Sequence, residues 1–180
     1  MDSVGDVDEV RRIANVKSRM VSDGDVEGFL EDARRDLSFS FSTGDFEVDR
    51  FVARDYSGSG KLLRVFELYD KVVDVDGVFV KVNDEELDAG DFDVVDGYKV
   101  EVNSGLSFGD VVEVGYLPLV WKSFVEVSAA LNVCESLALK NQVDGLRKRL
   151  GGLRKALENK PRGMGVDVGL DVGLGVNRFG

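Results

Sequence analysis

The chain has 180 residues, 43% of them hydrophobic, and a net charge of −11, because 34 acidic residues outnumber 23 basic ones. Such a charge repels phosphate and disfavours a conventional nucleic-acid-binding domain. The sequence contains no histidine and one cysteine, which excludes imidazole catalysis, histidine metal ligands and an internal disulfide. Aspartate outnumbers glutamate 22 to 12, a bias that suits hydration at high ionic strength and leads to the hypothesis of a salt-loving source.

An N-terminal helix pair is predicted over residues 1–37. The first helix is indicated by four apolar residues spaced for one face, which are Val7, Val10, Ile13 and Ala14. The Ser22-Asp-Gly turn then opens a second helix, with acidic residues in its first turn and Arg34 and Arg35 in its last. This order of charges complements a helix dipole. The predicted buried stripe of the second helix consists of Val26, Phe29, Leu30 and Ala33.

Residues 46–117 change to short runs rich in valine and aromatic residues, several of them alternating with polar ones, which is typical of strands. The predicted strands are Leu62–Leu68, Val72–Val75, Val78–Val82, Phe92–Val95, Tyr98–Val102 and Val111–Tyr116. Hairpin turns are predicted at Asp76-Gly77 and Asp96-Gly97, and a third turn at Asn103-Ser-Gly, because these residues tolerate positive φ. The region therefore predicts a small antiparallel meander or sandwich, and the whole chain an α+β fold.

After Pro118, apolar residues at intervals of three and four predict long helices over residues 119–160. The first repeat is Phe124, Val127, Leu131, Cys134 and Ala138. Cys134 is thus predicted to be a buried apolar side chain rather than a reactive thiol. A heptad seam follows, formed by Val143, Leu146, Leu150, Leu153 and Leu157. Gly151-Gly152 interrupts this seam, so we expect either a hinge there or close packing against a neighbour.

Two features make the C-terminal region a candidate interface. Residues 140–162 hold eight basic against two acidic residues, which predicts contact with an acidic surface of another copy or with a phosphate backbone, the alternative being a solvated helix face. The basic candidates are Arg147, Lys148, Arg149 and Arg154. Residues 161–180 predict either an extended glycine-rich tail that adds as a strand to another subunit, or a disordered C-terminus. The tail candidates are Val166, Val168, Leu170, Val172, Leu174, Val176 and Phe179.

The stretch "DYSGSGKL" at residues 55–62 lacks the spacing of a phosphate-binding loop, because Asp55 replaces the first glycine and Leu62 the final hydroxyl. It is predicted to be a turn before a strand. A calcium cluster is resembled by five acidic residues, Asp74, Asp76, Asp84, Glu85 and Glu86. A calcium loop needs glycine at its sixth position, whereas Gly77 is the fourth residue from Asp74, so solvated carboxylates are favoured. No catalytic residue, metal site or cofactor is predicted, and an enzyme is not expected. No apolar run approaches the ~20 residues that cross a bilayer, so no membrane partner is expected.

A family resemblance is found in the order of four stretches between residues 5 and 140. These stretches are "DVEGFLEDARRDL", "DYSGSGKLLRVFELYDKVVDVDGVFV", "DFDVVDGYKVEVNSGLSFGDVVEVGY" and "FVEVSAALNVCESLALK". The order resembles that of the head-to-tail connector (adaptor) proteins of tailed viruses. In that family an acidic helix leads through a Gly-rich turn and valine-rich strands to a "VxVxY" strand and an alanine-rich helix. Under this resemblance, Gly58–Lys61 form the turn that opens the first long strand.

The resemblance implies a structural virion protein of the neck, between capsid and tail, assembled in the host cytoplasm. Its partners would be identical copies in a ring, typically a dodecamer, the portal protein above, and a tail or second neck protein. Viral DNA would pass through the channel without sequence-specific binding. With the aspartate bias, a virus of a halophilic archaeon is expected. The alternative is another β-rich tail or adhesion component of a virion.

Overall fold

The computed structural model describes residues 4–41, 43–44, 46–55 and 60–159. These residues form an α+β fold, which confirms the predicted class. The helices are α1 (Val7–Ala14), α2 (Asp23–Phe41), α3 (Leu119–Ser136) and α4 (Lys140–Glu158), with 3₁₀ turns at Ser18–Met20 and Val75–Gly77. The strands are β1 (Glu47–Val52), β2 (Val65–Glu67), β3 (Phe79–Val82), β4 (Glu85–Glu86), β5 (Phe92–Val95), β6 (Lys99–Val102) and β7 (Val111–Tyr116).

The chain divides into two compact units. A helical unit contains the described parts of Met1–Asp45 and Pro118–Pro161, and a β unit contains those of Phe46–Leu117. In the sequence, the β unit is thus inserted between α2 and α3. None of the helices in the described residues is long and apolar enough to span a membrane.

Helix α3 forms the centre of the helical unit, because α1, α2 and α4 all pack against it. It is apolar around most of its circumference, as expected of a helix that is covered on several sides. Its buried side chains are Trp121, Phe124, Val125, Glu126, Val127, Ala129, Ala130, Val133 and Cys134. The predicted repeat is therefore correct in part, since Leu131 is half-buried and Ala138 lies beyond the helix, exposed, with φ of 56°.

The two N-terminal helices begin at side-chain caps. Asp6 caps α1 by accepting a hydrogen bond of 2.9 Å from the backbone N–H of Glu9. Ser22 accepts one of 3.1 Å from the N–H of Asp25 at the start of α2. The predicted end of the pair at residue 37 is wrong, because α2 continues to Phe41. Arg34 and Arg35 consequently lie within the helix and not in its last turn.

Helix α4 runs without a break through Gly151 and Gly152, so the predicted hinge is wrong. Its apolar side packs against α3, and this burial compensates for the low helix propensity of the two glycines. The alternative expectation, close packing at the glycines, is not met within the described residues either. Apart from the chain neighbours and the adjacent backbone of α4, no described atom lies within 4 Å of a Cβ built at position 151 or 152.

The β unit consists of two antiparallel sheets with strand orders β1-β7-β3-β4 and β2-β6-β5. Four predicted strands match β3, β5, β6 and β7, while the Leu62–Leu68 run shortens to β2. The predicted Val72–Val75 strand is wrong. Its amides bond to separate segments, Val72 to Gly97 and Val73 to Leu117, and a 3₁₀ turn follows directly. That turn also replaces the hairpin expected at Asp76-Gly77.

The inner faces of the two sheets share one hydrophobic core. Phe51 of β1 meets Phe66 of β2 with ring centroids 5.2 Å apart, and Val100 and Val102 of β6 are fully buried. The hairpin predicted at Asp96-Gly97 joins β5 to β6, with φ of 55° and 71° at its two central residues. These contacts confirm an antiparallel β region with the predicted inward alternation.

The outer face of the four-stranded sheet carries a second close contact, at Gly115 of β7. A Cβ at this position would lie 2.0 Å from Cζ of Phe79, so only glycine admits the ring where it lies. The ring of Phe79 also meets Phe46 edge-on at 5.6 Å. Glycine here therefore serves close packing of an aromatic ring over the sheet.

Candidate subunit interface

The described residues on either side of positions 56–59 pair with each other. Asp55 and Leu62 form an antiparallel bridge, and the N–H of Gly60 donates to Asp55 Oδ2 at 3.0 Å. The Asp55 carboxylate thus accepts a hydrogen bond from a backbone N–H group that a phosphate-binding loop would leave free for its ligand. This geometry gives no support to nucleotide binding, and most of the predicted turn, residues 56–59, lies outside the described residues.

Cys134 is buried in the helical unit, which confirms that part of its prediction. Its Sγ lies 3.7 Å from the carbonyl oxygen of Ala14 and 3.7 Å from Gln142 Oε1. Burial raises the pKa of the thiol, which lowers the fraction of thiolate. The side chain is therefore a packed apolar group.

The candidate residues on α4 divide into an inner and an outer set. Leu146, Leu150 and Leu157 are buried within the chain's own helical unit, and Val143 and Leu153 are half-buried beside them. The heptad seam thus faces α3 of the same chain. The basic candidates Arg147, Lys148, Arg149 and Arg154 are all exposed. Any contact with a second molecule would therefore use the basic, outer side of the helix.

Two of these basic residues are already paired inside the helical unit. Arg147 donates to Glu135 at 2.8 Å and Arg154 to Asp36 at 2.9 Å. The guanidinium of Arg154 also lies 5.8 Å from the centre of the Phe124 ring. They brace α4 against the other helices, whereas Lys148 and Arg149 are exposed and form no ion pair within the described residues. The tail candidates Val166, Val168, Leu170, Val172, Leu174, Val176 and Phe179 lie outside the described residues.

Charge is distributed unevenly between α4 and the β unit. Residues 46–117 include 17 acidic and seven basic residues, a net charge of −10, whereas α4 carries six basic and two acidic ones, a net charge of +4. The densest acidic segment is the hairpin of β3 and β4, where Asp84, Glu85, Glu86 and Asp88 are exposed. Within the described ranges, no group of three or more acidic or cysteine side chains is placed to hold a metal ion.

A recess of about 400 Å³ lies beside the first turns of α1 and α2. Arg11 and Arg34 line it, but so do Asp6, Asp8, Asp23 and Glu27. Arg11 is 8% exposed and is held by Asp23 and by the carbonyl of Val21 at 3.0 Å. Arg34 donates to the carbonyl of Val4 at 2.7 Å. These guanidiniums are used to join segments of the helical unit, and the excess of carboxylates disfavours an anionic ligand.

Glu126 is the buried acidic residue of the helical core, and sequence periodicity alone did not identify it. It is 5% exposed, and Lys122 Nζ lies 3.3 Å from its Oε1 without the geometry of a hydrogen bond. Burial raises the pKa of the Glu126 carboxyl, and nearby Glu9 adds to this, while Lys122 and the backbone N–H of Asp6 oppose it. Folding therefore favours the protonated form of Glu126.

We expect this burial to make the chain less stable as the pH rises above the ordinary glutamate pKa of 4.5. In that window the folded state binds more protons than the unfolded state, so the free energy of unfolding falls with rising pH until Glu126 is ionised in both states. Glu126→Gln should flatten this part of the profile in urea titrations at several pH values. Glu31→Gln, at an exposed position of α2, is the control for losing one negative charge. An unchanged slope in Glu126→Gln would contradict the prediction.

The chain matches no protein-family model and no curated protein sequence. The features that bear on function are the exposed basic face of α4, the acidic β unit and the order of the elements.

Proposed function

We propose that this protein is a head-to-tail connector of a tailed virus, a structural virion protein that forms an oligomeric ring below the portal and joins capsid to tail. The observation that supports it is the element order: a helix pair, an inserted antiparallel β unit and a central alanine-containing helix. This is the order on which the resemblance to the connector family rests. In this proposal the protein acts by assembly and not as an enzyme, and it is located in the neck of the virion.

The charge distribution fits the proposed position around a DNA channel. A ring built from chains of net charge −11 presents many carboxylates to the passing duplex. Phosphate is repelled by such a surface, so the genome can slide without being held. The aspartate-rich composition extends the proposal to a halophilic archaeal host, because salt screens the repulsion among acidic subunits. The partners proposed are identical copies, the portal protein, and a tail or second neck protein.

The proposal is tested by imaging and weighing the assembly. The purified chain, mixed with the portal of the same virus, is examined by negative-stain electron microscopy, and the copy number is measured by native mass spectrometry. We expect a ring stacked on the portal, with twelve copies. A protein that stays monomeric with its portal at all concentrations tested, or that turns over a small substrate, would contradict the proposal.

A second candidate function is a β-rich tail or adhesion component. It is favoured by exposed apolar side chains on the β unit, among them Phe46 at 49%, Val48 at 49% and Phe108 at 57% exposure. Exposed apolar groups of this kind can form a binding surface. The same experiment separates the two functions. A trimer, or a single particle that does not bind the portal, would favour this candidate.

A further inference from the structure

The outer side of α4 is unusual in combining lysines with glycines. Successive residues of a helix are rotated by about 100°, so Lys148 and Lys155 project opposite the buried stripe of Leu146, Leu150 and Leu157. Gly145, Gly151 and Gly152 lie on the same outer side. Apart from the chain neighbours and the adjacent backbone of α4, no described atom lies within 4 Å of a Cβ built at any of them. Lys148 and Lys155 form no ion pair with any residue in the described part of the chain.

These glycines have a cost that the helical unit itself does not explain. Each glycine inside a helix lowers stability by roughly 1 kcal/mol relative to alanine. The empty space around them would admit a larger side chain, so packing within the described residues does not require glycine. Glycine does, however, allow a second surface to approach the helix backbone closely. The outer side of α4 thus exposes its backbone at Gly145, Gly151 and Gly152, which we call the glycine floor. The ammonium groups of Lys148 and Lys155 lie beside it.

The β3–β4 hairpin of the β unit has the complementary properties. Its turn places Asn83 and Asp84 at φ of 50° and 69°, and β4 is two residues long at the edge of its sheet. Asp84, Glu85, Glu86 and Asp88 are exposed there, and the described residues provide no cation in ion-pair contact with them. The hairpin therefore presents four exposed carboxylates at the edge of its sheet.

A second copy of this chain is the occupant that the charges favour. The net charges, +4 on α4 and −10 on the β unit, are opposite, and the two surfaces differ. Contact between different surfaces of identical chains is head-to-tail, and such contacts close into rings when the rotation permits. Nucleic acid is the other polymer that lysines could attract, but the chain as a whole repels phosphate.

We propose that the outer side of α4 in one copy receives the acidic β3–β4 hairpin of the next copy around the ring. This inference rests on the proposed assembly into a ring and names the surfaces that form it. The lysines contact the carboxylates of the hairpin, and the glycine floor lets the hairpin lie close to the helix axis. Electrostatic complementarity selects the partner and the register of the contact.

Charge reversal on each surface tests the contact. Lys148→Glu/Lys155→Glu and Glu85→Lys/Glu86→Lys should each raise the dissociation constant between copies by about tenfold or more at 0.15 M salt, because like charges then face each other. A chain with all four substitutions should recover most of the affinity. Lys17→Glu/Arg19→Glu, at exposed positions before α2, is the control with the same change in charge and should assemble normally. Copy number is measured by native mass spectrometry, and circular dichroism checks folding.

A cysteine pair provides a second, independent readout. A chain with Gly152→Cys is mixed with a chain with Glu85→Cys, and the mixture is oxidised in the assembled state. We expect a disulfide-linked pair that contains one copy of each. The absence of a linked pair would overturn the inference. A single chain that carries both substitutions and forms the disulfide only within itself would overturn it too. Assembly that is unaffected by either charge reversal made alone would also overturn the inference while leaving the proposed ring intact. If the lysine reversal removed binding to duplex DNA without affecting assembly, the outer side of α4 would be a nucleic-acid surface instead.

Discussion

Replacing Phe124 with alanine is expected to lower the free energy of unfolding of the helical unit by about 3–5 kcal/mol. Phe124 is fully buried in α3 and meets Phe41 of α2 edge-on, with ring centroids 5.6 Å apart. The guanidinium of Arg154, from α4, lies over the same ring. One truncation therefore opens a cavity where three helices meet, and it also removes an aromatic pair and a cation–π contact.

The chain contains one tryptophan, Trp121, in the same helix, so its fluorescence in a urea titration reports unfolding of this unit. Phe39→Ala is the matched control, because Phe39 on α2 is 90% exposed and loses almost no burial on truncation. The control should stay within about 0.5 kcal/mol of the parent chain. Equal losses in the two variants would show that the helices do not pack around Phe124 as described.

Tyr116→Phe is expected to destabilise the β unit by about 1–3 kcal/mol. The Tyr116 side chain is fully buried, and its hydroxyl donates to Asp49 Oδ2 at 2.9 Å and accepts from the N–H of Asp70 at 3.2 Å. Asp49 Oδ2 also accepts from the N–H of Tyr69 at 2.8 Å. The network ties the segment after β2 to β1 and β7. Burial, together with the charge of Asp49, raises the pKa of the Tyr116 phenol, so the hydroxyl stays protonated at neutral pH.

Hydrogen exchange measured by NMR gives a local readout, because the amide of Asp70 should exchange faster in Tyr116→Phe. Tyr98→Phe removes a hydroxyl outside this network from the half-buried Tyr98 and is the control. A double-mutant cycle with Asp49→Asn should give a coupling energy of about 0.5–3 kcal/mol. Independent effects of the two substitutions would mean that the hydroxyl and the carboxylate do not act together.

The strands and helices that the sequence predicted correctly are those with a strong local pattern. β3, β5, β6 and β7 alternate in polarity or end at Asp-Gly turns, and the Ser22-Asp-Gly turn marks the start of α2. β1 was missed because "EVDRFV" carries three charged residues, and only pairing with β7 makes it a strand. Val72–Val75 fails for the opposite reason. Its residues favour a strand, but its backbone N–H groups donate to carbonyls of separate segments and not to one neighbouring strand.

The site was less predictable than the fold because it depends on which side of a helix is covered. The spacing of Leu146, Leu150 and Leu157 indicates a seam but does not say whether the seam faces the same chain or another one. The structure shows that it faces α3, which leaves the basic side outward. Gly151-Gly152 predicted a hinge from propensity alone, and burial of the opposite side outweighs that propensity. Glu126 was hidden among apolar neighbours, where periodicity gives no sign of a buried charge.

The pairing of β1 with β7 brings the two ends of the β unit together, since Glu47 lies opposite Tyr116. Paired residues in antiparallel strands have Cα atoms about 4.5–5.5 Å apart. The unit can therefore be grafted into a surface loop of an unrelated host protein without stretching either junction. It also tolerates circular permutation in principle, with a short peptide joining the old ends and new ends opened elsewhere. A host protein that carries the β unit would present the acidic β3–β4 hairpin without the helical unit. The binding of this hairpin to α4 could then be measured without assembly of a ring.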